Sequence, residues 1–181
     1  MIIGERRIQL GGHELLLRCA READAQRLLD YLKTTSGETR FLIREPDEVT
    51  MTEEDERRFI RMQNESERDV MLLAFYDGEF AGNGSLMGMG PSRYRHRAGV
   101  AIVLFQAYTG LGIGRVMMEA LLAIAREHGI EQVELEVVAD NASAVRLYES
   151  VGFREFGRNP RGFRAKHGWQ ELILMRLELD K

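Results

Sequence analysis

Residues 98–153 read AGVAIVLFQAYTGLGIGRVMMEALLAIAREHGIEQVELEVVADNASAVRLYESVGF. The patterning predicts a strand, a glycine-rich turn, a helix and a second strand, over Gly99–Phe105, Tyr108–Gly114, Arg115–His128 and Val133–Val138. N–H groups at a helix start lack intrahelical partners, the helix dipole favours negative charge there, and glycines let a ligand approach the backbone. The stretch therefore predicts a site for a pyrophosphate-bearing ligand at Gly110–Gly114.

Three kinds of phosphate loop compete for this turn. A Walker loop needs Lys and Ser or Thr after its last glycine, and here Arg115 and Val116 follow, which excludes it. A dinucleotide loop needs Gly-x-Gly-x-x-Gly, and its third glycine would fall on Arg115 or Met117. An acidic residue, Glu134, does follow at the distance such a loop requires, so this alternative stays open.

The third kind is the coenzyme A loop of the GNAT N-acetyltransferases, Arg/Gln-x-x-Gly-x-Gly/Ala. The segment Thr109–Gly114 resembles it at every place but the first, where Thr109 replaces Arg or Gln. A second segment, Asn141–Phe153, resembles the family's Asn-x-x-Ala-x-x-Leu-Tyr-x-x-x-Gly-Phe motif. It matches at six positions: Asn141, Ala144, Leu147, Tyr148, Gly152 and Phe153. Two motifs in the family's order and spacing are more specific than either alone.

The resemblance implies an α/β (α+β) GNAT fold over a single domain, residues 1–181. Such a fold has a central mixed, mostly antiparallel twisted sheet flanked by helices, with two strands splayed at the CoA site. It also implies transfer of the acetyl group of acetyl-CoA to a primary amine, by direct attack in a ternary complex. A homodimer is compatible with the fold.

The rest of the chain fits this layout. A strand or a hairpin is expected over Ile8–Arg18, followed by a helix over Ala20–Lys33 that Thr34–Gly37 ends. Thr52–Asp55 resembles a capping box that begins a second helix. Two strands joined by the turn Asp77-Gly78 are predicted, Val70–Tyr76 and Phe80–Met89. The order β-α-α-β-β-β-α-β-α-β-β is not the strict alternation of a doubly wound sheet.

By resemblance, the cofactor-binding residues are Leu104, Phe105, Thr109, Gly110, Leu111, Gly112, Ile113, Gly114, Arg115, Asn141 and Tyr148. Leu104 and Phe105 would pair by backbone with the pantetheine arm, and one of their N–H groups would be the oxyanion donor. Tyr148 would protonate the leaving thiolate, a role that suits a phenol of reference pKa about 10. From the residues alone, Arg115 reads equally as a solvated side chain, and Asn141 as a helix cap.

The general base is less sharply defined. Glu136 matches a glutamate that acts as base in ribosomal-protein alanine acetyltransferases, and its alternative is an exposed strand acid beside Glu134. His96 is a second candidate by residue type, and Glu171 could orient the acceptor. The lone Cys19 lies far from the motifs and gives no support for an acyl-enzyme. None of these carboxylates has metal-ligand spacing with His or Cys.

The acceptor amine is open between arylamines, other small molecules and protein N-termini. An acidic set could attract a cationic amine or simply serve a helix N-terminus: Glu45, Asp47, Glu48, Glu53, Glu54, Asp55 and Glu56. A basic set before the last strand could bind an acidic acceptor or the cofactor's 3′-phosphate, or form a solvated loop: Arg158, Arg161, Arg164, Lys166 and His167.

Composition narrows the class of protein. A net charge of −4 argues against a general nucleic-acid binder. A single cysteine fits a reducing compartment, and no apolar run approaches the roughly 18 residues of a membrane span. The start of the chain lacks the layout of a signal peptide. We therefore expect a soluble cytoplasmic enzyme, with two alternatives: a non-catalytic acyl-CoA sensor and an NAD-dependent oxidoreductase.

Overall fold

The computed structural model describes residues 1–165 and 168–179, and over these it contains one eight-stranded sheet in the order β1-β2-β3-β4-β5-β6-β8-β7. The strands are β1 (Arg6–Leu10), β2 (His13–Cys19), β3 (Val70–Tyr76), β4 (Glu79–Gly88), β5 (Arg97–Leu104), β6 (Gln132–Val138), β7 (Arg154–Ala165) and β8 (Gly168–Glu178). The α-helices of the same residues are α1 (Ala25–Glu38), α2 (Glu53–Glu65), α3 (Ile113–Glu127) and α4 (Ala142–Ser150). This mixed, mostly antiparallel sheet with flanking helices confirms the predicted fold class.

Helices cover both faces of the sheet. The apolar stripe of α3 packs on one face, with Met117 and Leu121 fully buried. On the other face α1 and α2 enclose a smaller core that includes Tyr31 and Ile60. Strand β3 is sandwiched between the two layers, which explains why six of its seven residues are buried and why its sequence is a continuous apolar run.

Three local signals in the sequence are confirmed. The β3–β4 hairpin turns at Asp77 and Gly78, which both have positive φ, of 49° and 85°. Helix α2 begins at a capping box in which the Thr52 N–H donates to Asp55 Oδ2 at 3.1 Å and the Asp55 N–H donates to Thr52 Oγ1 at 3.2 Å. The first hairpin turns between β1 and β2 at Gly11–Gly12.

The predicted end of α1 is wrong. The helix continues through Thr34–Gly37 to Glu38. The hydroxyls of Thr34 and Thr35 donate back to the carbonyls of Asp30 and Tyr31, each at 2.8 Å. Their side chains thus bond within the helix and do not compete with its backbone, and burial of Thr35 holds this turn in place.

For the basic set before the last strand, the alternative of a solvated loop is wrong. Residues 154–165 form β7, the edge strand that pairs with β8, while Lys166 and His167 lie outside the described residues. Most of β7 is exposed, so its sequence carries little of the alternation that marks a half-buried strand. Pairing with β8, and not local propensity, makes this segment a strand.

The sheet opens between β5 and β6. These strands are parallel and pair only where Arg97–Gly99 faces Gln132–Glu134. Beyond that point β5 continues to Leu104 in register with β4, and β6 continues to Val138 in register with β8. A V-shaped gap therefore separates the two strands, as the splayed-strand prediction requires. The near absence of parallel pairing contradicts the doubly wound sheet of the dinucleotide alternative.

Candidate active site

The glycine-rich loop lies between the end of β5 and the start of α3. Thr109 Oγ1 donates to the Gln106 carbonyl at 2.8 Å, so its side chain stabilises the turn itself. Gly110 and Gly112 have φ of 78° and 84°, a left-handed conformation that L side chains rarely adopt. A Cβ on Gly112 would lie 3.5 Å from Leu10 Cδ1, which places the β1–β2 hairpin beside the loop. No pattern in the sequence predicted that the hairpin lies beside the loop.

The start of α3 presents a row of backbone donors. The Val116 N–H is the first to bond within this helix, to the Gly112 carbonyl at 3.2 Å. Within the described part of the chain, the N–H groups of residues 111–115 have no acceptor. Free N–H groups at the positive end of a 15-residue helix form an anion site. The Arg115 side chain instead pairs with Glu119 at 2.9 Å and is half exposed.

Close packing at Gly114 brings the two sequence motifs together. A Cβ at this position would lie 3.3 Å from Leu147 Cδ2 and 3.8 Å from Leu104 Cδ1. The start of α3, the middle of α4 and the end of β5 thus meet at one point. The glycine loop and the Asn141–Phe153 segment, far apart in sequence, form one site at the gap between β5 and β6.

The backbone N–H groups of Leu104 and Phe105 point to opposite sides of the chain. The Phe105 N–H donates to the Ala81 carbonyl at 3.0 Å, so it is not available to a ligand. Because successive residues of an antiparallel strand point their polar groups to opposite sides, those of Ile102 and Leu104 point into the gap. The Phe105 ring packs at 5.0 Å from the Tyr31 ring, on the α1–α2 face. Sequence reasoning missed Ile102, because only the register of β5 with β4 shows which residues of β5 face the gap.

Tyr148 lies on α4 with its ring packed 6.0 Å from that of Phe153. Its relative exposure is 8%, and its hydroxyl has no hydrogen bond with the described residues. Burial raises the pKa of Tyr148, so the phenol carries its proton throughout the neutral range. Such a group can donate a proton and cannot act as an anion at pH 7.

Asn141 caps α4: its Oδ1 accepts from the Ala144 N–H at 3.2 Å. The neighbouring Asp140 pairs with Arg40, after the end of α1, at 3.0 Å. The capping role that the sequence left open is therefore present, and the amide nitrogen of Asn141 is the part left for any further contact.

Among the candidate bases, Glu136 alone has a free carboxylate on the wall of the gap. The odd residues of β6 are buried toward α3, so Glu136 projects from the opposite face, beyond the last pair with β5. Its side chain forms no hydrogen bond or ion pair with the described residues. By contrast, Glu134 is held by Arg97 at 2.7 and 2.6 Å, and Glu171 by Arg158 at 3.0 Å. His96 lies on an exposed loop.

A cleft of about 360 Å³ opens on the α1–α2 face, the face from which Glu136 projects. Its floor includes Asn83 and Ser85 of β4, which pair with Val103 and Ala101 of β5. The cleft thus lies one strand from the gap. Its walls come from α1, α2 and the segment between them: Leu28, Leu32, Arg44, Met51, Asp55, Glu56 and Phe59.

The acidic residues that the sequence analysis grouped together have two different environments in the structure. Most of its members in α2 serve the helix start, where Asp55 caps the backbone and Glu53 pairs with Arg57 at 2.6 Å. Glu56 differs, because it is buried and lines the cleft. Its position one turn before the core residue Ile60 was the available signal.

Residues 1–165 and 168–179 contain neither a candidate metal site nor a candidate membrane-spanning helix. No group of three or more His, Cys, Asp or Glu side chains is arranged to hold a metal ion. None of the helices combines the length and apolarity needed to cross a membrane.

Comparison with known proteins identifies relatives of this fold and site. The family model described as acetyltransferase (GNAT) family matches residues 38–153. The [ribosomal protein bS18]-alanine N-acetyltransferase of Escherichia coli K12 is 35% identical over 73 residues, which are 40% of this chain and 49% of that protein. The match thus spans about half the length of that curated relative.

Solved structures match more of the chain. A GNAT-family acetyltransferase from Streptococcus pneumoniae is 31% identical, covers 92% of this chain and 100% of its own, and superposes with a TM-score of 0.87. A Salmonella typhimurium structure with its cofactor acetyl-CoA is 20% identical, covers 92% and 95%, and has a TM-score of 0.81, which shows a shared fold.

Proposed function

The chain belongs to the acetyltransferase (GNAT) family, and from this premise we propose that it transfers the acetyl group of acetyl-CoA to a primary amine. GNAT enzymes use acetyl-CoA as co-substrate. One observation carries the proposal: the gap between β5 and β6 ends beside the unpaired N–H groups at the start of α3. The gap provides space for the arm of the cofactor that carries the thioester, and the N–H groups at the helix start bind the pyrophosphate.

The binding steps use backbone groups. The loop at Gly110–Gly114 holds the pyrophosphate, and the inward polar groups of Ile102, with the Leu104 carbonyl, pair with the amides of the pantetheine arm. The Leu104 N–H is the oxyanion donor, because the Phe105 N–H is taken by Ala81.

The proton steps use two side chains. Glu136 removes a proton from the acceptor ammonium, and the neutral amine then attacks the thioester carbonyl carbon. As the new C–N bond forms and the C–S bond breaks, the thiolate leaves and takes the proton of the Tyr148 hydroxyl. The excess proton on the new amide nitrogen passes through water to the Tyr148 phenolate, and Glu136 releases its proton to solvent. The reaction needs no acyl-enzyme.

Two measurements test this function. Calorimetric titration with acetyl-CoA, CoA and NAD separates the cofactors: we expect binding of the first two and none of NAD. Release of free thiol is then followed with a panel of amines. Binding of acetyl-CoA without turnover of any amine would favour the acyl-CoA sensor, and binding of NAD alone would favour the oxidoreductase.

We further propose that the protein works in the cytoplasm, in keeping with its single cysteine and acidic balance. Homodimerisation stays a prediction, which size-exclusion chromatography with light scattering would test.

A further inference from the structure

We propose that the acceptor is a small apolar α-amino acid, bound in the α1–α2 cleft with its ammonium on Glu56 and its carboxylate on Arg44. The inference rests on the proposed acetyl transfer and names the substrate class for the same site. Its observations are independent of the CoA loop, because they concern the opposite face of the sheet.

Glu56 is a carboxylate that the fold buries without a partner. Its relative exposure is 5%, and its side chain forms no hydrogen bond or ion pair with the described residues. Burial raises the pKa of Glu56, an effect that the charge of Arg44 partly offsets. Burying a carboxylate without a partner costs free energy. A cationic hydrogen-bond donor that enters the cleft would therefore be a favourable partner for the Glu56 carboxylate.

Arg44 supplies the opposite charge. Its side chain lines the cleft and is near enough to influence Glu56, yet it forms no ion pair with any residue of the described chain. The other carboxylate of the cleft, Asp55, already accepts from Thr52 at 2.7 Å and from Arg58 at 2.7 Å. The cleft therefore offers one free anion and one free cation, which is the complement of a zwitterion.

The remaining walls are apolar. Leu28 of α1 and Met71 of β3 are buried, while the ring of Phe59 is 42% exposed at the cleft. The volume of about 360 Å³ is near the lower end of the roughly 300–1,000 Å³ of small-molecule sites. Space, charge and apolar walls thus suit one amino acid with an aliphatic, thioether or aromatic side chain. A polyamine would place a second cation beside Arg44, which is unfavourable.

The position of the cleft fits the chemistry. Its floor residues Asn83 and Ser85 pair directly with β5, so a bound amine lies one strand from the gap and on the face that carries Glu136. Glu56 is here a binding residue, and proton removal stays with Glu136.

The experiment compares L-leucine and L-methionine with their amides, which keep the ammonium and lose the carboxylate. Turnover is followed as thiol release from acetyl-CoA, and binding as calorimetric titration of the CoA-loaded protein. We expect the free amino acids to bind at least about tenfold more tightly than the amides, the effect of one charge-assisted hydrogen bond. Arg44→Gln should remove that preference, and Glu56→Gln should weaken the amino acid and its amide alike.

Matched controls lie on α2, outside the cleft: Glu53→Gln and Arg57→Gln remove one charge of each sign from an exposed pair and should change neither KM nor preference. If the amides bind as tightly as the acids, or Arg44→Gln leaves the preference intact, the inference is overturned while acetyl transfer stands. Failure to bind acetyl-CoA would instead overturn the proposed function. Turnover restricted to peptides or polyamines would also refute the amino-acid acceptor.

Discussion

Tyr148 combines a buried ring with a hydroxyl that no described residue holds. Because burial raises its pKa, the phenol keeps its proton up to and beyond its reference value of about 10. We expect Tyr148→Phe to lower kcat by about tenfold or more without changing the Kd of acetyl-CoA, since water can still protonate the thiolate slowly. Steady-state kinetics from pH 6 to 9 should show no ionisation of Tyr148 in the wild type. Tyr94→Phe, on an exposed turn, is the control.

We expect the Glu56 carboxylate to favour acceptor binding and, at the same time, to lower the free energy of unfolding. Its raised pKa means that the folded state prefers the protonated carboxyl, so stability falls as pH rises through the unfolded value of about 4.3 toward the folded one. Glu56→Gln removes this cost and should raise the unfolding free energy at pH 7 by on the order of 1 kcal/mol, or roughly 2–4 °C in Tm.

The gain in stability of Glu56→Gln should vanish below about pH 4, where the wild-type carboxyl is protonated in both states. Denaturation at pH 4 and pH 7, without any ligand, checks the sign. A loss of stability at pH 7 would mean that Glu56 has a partner in the folded protein and is not held for a ligand.

Individual residues also show which parts of the candidate site can be predicted from the sequence. Tyr148 and Glu136 could be named because they stand in recognisable motifs. Glu56 could be named only as one of the seven acidic residues from Glu45 to Glu56, because the burial that distinguishes it from the other six depends on packing. The separation of Leu104 from Phe105 depends on the register of β5 with β4, which only pairing reveals.

At the scale of elements, α3 offers a test with an internal control. Gly112 precedes the helix and Gly129 follows it, with φ of 84° and 70°. Alanine in this conformation costs about 1–2 kcal/mol at either end. Gly112→Ala should also displace the N–H groups at the helix start and weaken acetyl-CoA binding by about tenfold, or 1.4 kcal/mol.

The matched variant Gly129→Ala should lose similar stability with unchanged affinity, because nothing lies within 4 Å of its added Cβ and the loop is a helix length away. Titration calorimetry and chemical denaturation of both variants give the two quantities. Equal affinities in the two variants would remove the glycine loop from the ligand site.

Elements with a strong local signal were predictable, and those fixed by distant partners were not. The Asp77-Gly78 turn and the Thr52 capping box need only their own residues to form. The last turn of α1 depends on hydroxyls that bond within the helix, and β7 depends on β8. Local patterning carries no information about either.

Across the whole molecule, the gap in which we propose that acetyl-CoA binds is also the place where neighbouring strands share the fewest residue pairs. Strands β1–β5 form one hydrogen-bonded half of the sheet, and β6, β8 and β7 form the other. Three residue pairs between β5 and β6 join the two halves, together with the core beneath α3. The ion pair between Arg97 and Glu134 closes the apex of the V, and both side chains are largely buried there. We therefore expect this ion pair to hold the two halves of the sheet together at the narrow end of the gap.

Glu134→Gln should accordingly cost roughly 1–3 kcal/mol and loosen hydrogen exchange at the β5–β6 pairs first. Hydrogen bonding from Arg97 outweighs burial and lowers the pKa of Glu134, so its stabilisation is complete above about pH 4.3 and disappears as pH falls through the lowered folded value. The exposed pair of Arg115 and Glu119 is the control, since Glu119→Gln should cost about 0.3–0.5 kcal/mol. Equal losses in both variants would show that the apex pair does not hold the two halves together.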